Sequence, residues 1–219
     1  MGRIFDTLKS DVFKYFEEIS TIPRGSGNMD AISEYCMNFA RKYSLKAIKD
    51  GAGNVIIYKN GTFGLENSEP VILQGHLDMV CQKENRSNIN FETDSLELYV
   101  DGDFLKAKGT TLGADNGIAV AMILSILSSD KIKHPPIEAV LTTDEEIGMI
   151  GAFALDMSKL NAKKVINLDS EEDDTVTVSC AGGLDFAVCK PIKRENVFGS
   201  KVIITLKAVS YTHLRAHET

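Results

Sequence analysis

Residues 70–80 read PVILQGHLDMV, a short apolar run that meets Gly75 and then turns polar at His76 and Asp78. A run of this kind fits a strand buried inside a parallel sheet. Ile137 to Thr142 reads as a second buried strand and Val165 to Leu168 as a further one. Between them, Ile118 to Leu127 reads as an apolar helix entered from Gly113-Ala114-Asp115-Asn116-Gly117. Toward the start, Ile4, Leu8, Val12, Phe13, Tyr15 and Phe16 recur at helical spacing and predict an opening amphipathic helix. The stretch Pro23 to Asn28 ends it. A second helix follows, carrying Ile32, Tyr35, Phe39 and Tyr43, and then strands near Lys46 to Lys49 and Asn54 to Tyr58, each bounded by glycine-containing turns. Strands that alternate with helices imply an α/β fold, a mixed, largely parallel sheet flanked by helices on both faces. No internal repeat or low-complexity linker interrupts it.

The chain has 219 residues, with 24 basic and 31 acidic side chains and a formal charge of -7. That balance argues against a nucleic-acid partner, since phosphate binding needs clustered Lys and Arg. It suits a protein that keeps carboxylates for cations, and equally a protein that keeps an acidic surface for solubility. Met1 to Ser10 lacks an apolar core of signal-peptide length, and no segment has the length of apolar sequence that a membrane span needs. A cytoplasmic location is the expectation. Cys36, Cys81, Cys180 and Cys189 show no CxxC spacing and read as reduced, mostly buried thiols.

The polar residues of interest follow strand ends: His76 and Asp78, Glu145 and Glu146, and Asp169, with Asp115 opening the helix between them. In open α/β sheets sites form outside the carboxyl ends of strands, so these segments can converge on one cleft. In an extended segment His76 and Asp78 share a face. A carboxylate that fixes the tautomer of a metal-ligating imidazole is a common device, although a hydrogen-bonded polar turn has the same spelling. Asp144, Glu145 and Glu146 repel one another and nothing local compensates them; a solvated acidic turn is the bland alternative. Gly148 and Gly151 close behind imply tight backbone where a ligand or metal approaches. Two adjacent carboxylates can divide labour, one binding a cation and one taking a proton. Asp115 suits a helix N-cap as well as a ligand, and Asp169 heads an acidic loop. Together these groups supply one imidazole and several hard oxygens, a mixture suited to zinc, manganese or cobalt.

Four ordered motifs carry a resemblance: Gly75 to Val80, Gly113 to Gly117, Asp144 to Gly148 and Asn167 to Ser170. They resemble the metallopeptidase M20 family. The wording HLDMVCQK at 76–83 and TTLGADNGIA at 110–119 is similar to its aminoacyl-histidine dipeptidase branch. The likeness spans most of Met1 to about Pro191. It implies an incomplete zinc-peptidase-like catalytic domain followed by the start of an α+β lid, and a metal-dependent dipeptidase acting on unblocked dipeptides, including those that end in histidine. It also implies two divalent metal ions, zinc first, with His76 and Asp169 on one, Glu146 on the other and Asp115 bridging. Asp78 would orient His76, Glu145 would be the general base, and the intact enzyme would be a homodimer. Another amide hydrolase of the same scaffold (an N-acyl amino acid deacylase, an aminotripeptidase or a carboxypeptidase) and a non-catalytic metal-binding module are the alternatives. A nucleophilic role for Cys81 is weaker, because no His-Asp pair is left to activate it.

The resemblance implies a longer protein, in which a lid precedes a final histidine ligand. The expected divisions are 1–184 as the first part of the catalytic domain, 185–208 as the beginning of the lid, with a strand at Lys201 to Leu206, and 209–219 as a non-native tail. His134, before Pro135-Pro136, reads as a loop residue. His213 and His217 fall in the tail VSYTHLRAHET, which reads like translated adapter sequence, and are set aside as ligands.

Overall fold

The computed structural model describes residues 8–170, 174–179 and 191. The chain divides into two compact units, 1–176 and 177–219, and all the helices and strands described lie in the first. Seven strands form: β1 (Lys46–Lys49), β2 (Val55–Lys59), β3 (Val71–His76), β4 (Leu98–Asp101), β5 (Phe104–Ala107), β6 (Ile137–Thr142) and β7 (Lys164–Asn167). Five of them build one sheet in the order β1-β2-β6-β3-β7. The β1–β2 and β2–β6 pairs are antiparallel, while β6–β3 and β3–β7 are parallel. The expected mixed sheet is therefore present, and its parallel half holds the three strands whose ends carry the chemistry.

Strand alternation sorts the core. Val55 and Ile57 of β2, Leu73 of β3, and Ala139 and Leu141 of β6 point to one face, and three helices cover it. Helix α1 (Asp11–Ser20) contributes Tyr15, Phe16 and Ile19; α2 (Asp30–Lys42) contributes Ile32, Cys36 and Phe39. These spacings of three and four residues form one apolar stripe on each helix. Helix α3 (Ala114–Ser128) is apolar nearly all round and buries Val120, Ile123, Leu124 and Leu127 against α1 and β3. Ile56, Ile72 and Val140 face the other way, under Leu155, Leu160 and Ala162. Those residues belong to the segment that follows the short α4 (Ile150–Ala154) and includes a 3-10 turn at Met157–Lys159. On this second face buried Glu138 accepts hydrogen bonds from Asn161 N at 3.0 Å and Ala162 N at 3.1 Å, pinning that segment to the sheet.

Several boundaries differ from expectation. The opening helix is not continuous through Leu8 to Phe16: Lys9 adopts φ 49 and Ser10 is extended, so α1 starts at Asp11. Strand β3 runs on to His76, because His76 pairs in register with Thr142. The β4–β5 hairpin was not anticipated; it turns through Gly102, whose φ of 60 favours glycine. The expected lid start at 185–208, the strand within it, the tail at 209–219, and His213 and His217 all lie outside the described residues.

Leu124 is fully buried, so Leu124→Ala should destabilise the chain by about 3 kcal/mol. Met122, on the same helix but 42% exposed, should lose no more than about 0.5 kcal/mol on truncation. Urea melts of the two variants check the assignment of the buried face.

Candidate metal centre

Strands β6, β3 and β7 are parallel neighbours, so the residues just past their carboxyl ends meet along one edge of the sheet. His76 is the last residue of the central strand. Glu145 and Glu146 arrive from beyond β6 on one side, Asp169 from beyond β7 on the other, and Asp115 from the start of α3.

His76 is 1% exposed. Its Nδ1 lies 3.1 Å from the carbonyl of Asp78 and 3.3 Å from Asp78 Oδ1. Its Nε2 faces three carboxylates: Asp115 at 3.0 Å, Glu145 at 3.9 Å and Asp169 at 3.9 Å. Two threesomes have ligand atoms within 4.8 Å of one another, His76 with Asp115 and Asp169, and His76 with Glu145 and Glu146. All six sequence-derived site residues are thus gathered. Asp115 and Glu146, expected to share an ion, fall in different threesomes.

Asp78 is fully buried, and its carboxylate accepts from four directions. Glu145 N donates to Oδ1 at 3.0 Å; Glu146 N at 3.1 Å and Ser26 Oγ at 2.8 Å donate to Oδ2; His76 supplies the fourth contact. The same carboxylate therefore orients the imidazole and fixes the backbone that presents both glutamates. Asp144, which reads as an uncompensated acid, instead accepts from Gly27 N at 2.7 Å.

Asp115 is not a helix cap. The N-cap position belongs to Gly113, no side chain caps the helix, and Asp115 itself has a non-helical ψ of 110, which leaves its carboxylate facing His76. The residue beside it was not foreseen. Asn116 accepts from His76 N at 3.2 Å and donates through Nδ2 to Leu168 O at 3.1 Å and to Asp169 Oδ1 at 3.2 Å, tying the ends of β3 and β7 together. Arg24, also unforeseen, is buried and donates to Leu77 O at 3.0 Å and Asp78 O at 3.1 Å, and to Gly113 O. A Cβ on Gly113 would stand 2.6 Å from the Arg24 guanidinium. The motifs around both residues gave a signal of a kind, glycine next to a polar side chain, but no periodicity marks a hydrogen bond made across the chain.

The reading of Gly151 needs correction. Gly148 supplies a φ of 114 with open space around it, and a Cβ on Gly151 would run into Asn54 and the backbone of Thr143. Gly151 lets the loop pack on buried Asn54, which accepts from Thr143 N at 3.0 Å and donates to Gly151 O at 2.8 Å. His134 lies in the loop before β6, as expected, and is buried there with Nδ1 2.7 Å from Pro135 O. It precedes β6, at the opposite end of that strand from Glu145. Cys36 is a buried free thiol, and partly buried Cys81 is the other free thiol among the described residues.

The electrostatics favour a cation. Burial alone would depress the His76 imidazole, but the hydrogen bond and charge of Asp78, then Asp169 and Asp115, lift it to about 9. Burial likewise works against ionised Asp78, yet His76, the two backbone N–H groups and Ser26 hold it near about 2. Glu145 and Glu146 are raised, first by burial and then by neighbouring carboxylates. Five carboxylates crowd one imidazole whose Nδ1 is already engaged and whose Nε2 points at the acids. The donor set is nitrogen plus hard oxygen, and it fits divalent metal ions.

Residues 72–199 match peptidase family M20/M25/M40. The chain belongs to this family. The cytosol non-specific dipeptidase of Escherichia coli (strain K12) is 43% identical over 197 residues, covering 90% of this chain and 41% of that protein. The crystal structure of aminoacylhistidine dipeptidase from Vibrio alginolyticus, also 43% identical, superposes with a TM-score of 0.72 over 74% of this chain and 33% of that one. Aminopeptidase PepT from Bacillus cereus, 22% identical, shares the fold at a TM-score of 0.62, covering 74% of this chain and 43% of that one. The chain spans less than half the length of these relatives. No helix among its described residues is long and apolar enough to cross a membrane.

The raised His76 has a signed consequence for the metal-free chain. Its folded value of about 9 exceeds the ordinary 6.5, so the stability it contributes is present below pH 6.5 and is lost as the pH rises through about 9. An NMR titration of the imidazole in chelator should give a midpoint near that value, and Asp78→Asn should lower it. A midpoint at the ordinary value in the unsubstituted chain would remove the ion-pair account.

Proposed function

We propose that this chain carries the metal-binding part of a metallo-dipeptidase that hydrolyses unblocked dipeptides, including those ending in histidine. The observation that carries the reading is the adjacency of Glu145 and Glu146. Both carboxylates lie within reach of one fixed imidazole, and both are held by the backbone N–H bonds to Asp78. The names of the Escherichia coli and Vibrio alginolyticus proteins support dipeptides as the substrate class, and the former supports a cytosolic location.

In this reading His76 and Asp169 would hold one divalent ion and Glu146 a second, with the Asp115 carboxylate available to share. Zinc is the first choice, with manganese and cobalt compatible with the same donors. When bound, such a pair supplies an acidified water and polarises the scissile carbonyl. The remaining steps belong to the chain. Asp78 takes the Nδ1 proton of His76 as a hydrogen bond, which leaves the Nε2 lone pair directed outward. Glu145, partly buried and with its acidity weakened, takes a proton from the attacking water at its carboxylate and returns it to the leaving amine. Residues 1–184 would then supply the first part of the catalytic domain, and 185–208 would lead into a lid.

In the protein carried at the length of its relatives, Glu145→Gln should keep its metal content and lose activity by at least about 100-fold. Metal analysis beside a dipeptide hydrolysis assay reads both, and unchanged turnover would remove Glu145 from the mechanism. Chelation should abolish turnover and added manganese or zinc restore it. Parallel assays with a free dipeptide, a tripeptide and an N-acetylated amino acid separate a dipeptidase from the aminotripeptidase and deacylase alternatives. Preference for either of the latter two sinks the proposed substrate class.

A further inference from the structure

A cavity of about 370 Å³ opens beside the ion-binding cluster and shares Glu146 with it. Its walls are built from segments that the cluster already fixes. Ser26 is bonded to Asp78, Met79 follows Asp78 directly, and Ile147 follows Glu146. The outer wall, Phe91 and Glu92, is tied to the same turn through Asn28 Nδ2, which donates to Glu92 O at 3.3 Å. Cys81 completes the lining, and Gly25 makes room for it, since a Cβ there would stand 2.6 Å from the Cys81 sulfur. The volume is near the low end of small-ligand cavities, which run from ~300 to ~1,000 Å³, so it has room for one large side chain rather than a length of peptide.

We propose that this cavity receives one of the two side chains of the substrate, accepting neutral or cationic groups, aromatic and imidazole rings included, and rejecting carboxylates. The inference rests on the dipeptidase reading, because only a substrate held at the cluster brings a side chain here. Met79, Cys81, Phe91 and Ile147 offer apolar contact, while Glu92 and Glu146 are the charged residues that line it and neither is basic. Once a cation is held, the charge of Glu146 is answered by the metal. Discrimination then falls to Glu92, whose backbone serves Asn28 and Asn90 and whose side chain is exposed.

Cys81 reports occupancy directly. In this chain with manganese, labelling of Cys81 by N-ethylmaleimide, separated from the other cysteines by peptide mass, should slow about tenfold when Leu-His or His-Leu is present at about ten times its dissociation constant. Gly-Gly, which has no side chain to insert, should protect little, and Leu-Asp and Asp-Leu should protect less than their neutral counterparts. Glu92→Lys should raise protection by whichever acidic dipeptide places its carboxylate in the cavity by about fivefold in affinity, and Phe91→Ala should weaken protection by Leu-His. Equal protection by neutral and acidic dipeptides, or an unchanged ranking in Glu92→Lys, overturns the charge rule. Labelling reads binding rather than turnover, so the two claims separate. With turnover read in the protein carried at the length of its relatives, hydrolysis with Cys81 unprotected keeps the dipeptidase and rejects the cavity, protection without that hydrolysis keeps the cavity and counts against the dipeptidase, and the absence of both rejects the cavity.

Discussion

One buried carboxylate organises the functional edge of this molecule. Asp78 has no exposure to solvent, and each of its oxygens accepts hydrogen bonds from groups on different segments: an imidazole on β3, two amides beyond β6 and a hydroxyl in the turn between α1 and α2. A buried charge is tolerated only when its lone pairs are satisfied, and here they are. The arrangement works in reverse as well. Glu145 N, Glu146 N and Ser26 Oγ depend on Asp78 as acceptor, so removing its charge would strand several donors at once. Arg24 completes the frame from beneath, bonding to the carbonyls of Leu77, Asp78 and Gly113 and so fixing the chain on both sides of the cluster.

That frame explains what could be read from the sequence. Strands β3, β6 and β7 announce themselves as apolar runs, and His76, Asp78, Glu145, Glu146 and Asp169 stand out because polarity returns abruptly where each run stops. Asp115 stands out because it interrupts small and apolar residues. The fold class and the gathering of these six residues were therefore legible. Asn116, Arg24, Ser26 and Asn54 were not. Each acts through hydrogen bonds to residues far away in the chain, and such bonds leave no periodicity and no spacing. Gly151 was misread for a related reason: a glycine records that something comes close, and only the fold reveals that the neighbour is Asn54 rather than a ligand. The β4–β5 hairpin escaped because its strands are short and none of their residues is fully buried, so the burial contrast that marks the core strands is weak.

The cluster also has a cost that the fold sets against function. Glu145, Glu146, Asp115 and Asp169 approach one imidazole closely enough for their charges to work against one another, and the two glutamates are harder to ionise, first through burial and then through this repulsion. Repulsion of this kind opposes folding and is relieved by a cation. Binding of a divalent ion to the folded state alone would then stabilise the chain by mass action, in addition to any role in chemistry.

The distribution of exposure divides the cluster into two parts with different duties. His76 and Asp78 are essentially sealed, at 1% and 0% side-chain exposure, and are held by a hydrogen-bond network that needs no ion. Asp115 is 69% exposed, Glu145 33% and Asp169 30%. The inner pair is thus prepositioned by the protein, while the outer carboxylates take their final places around whatever positive charge arrives. A substrate reaches such a centre from the exposed side, where Glu145 stands, and not through the sheet. In the proposed reading Glu145, one-third exposed, would lie on that path, and the His76 imidazole, 1% exposed, would lie behind it. Such a separation of a rigid interior from an open rim would let one carboxylate of an adjacent pair hold an ion while the other stayed available for a proton, as the proposed function requires.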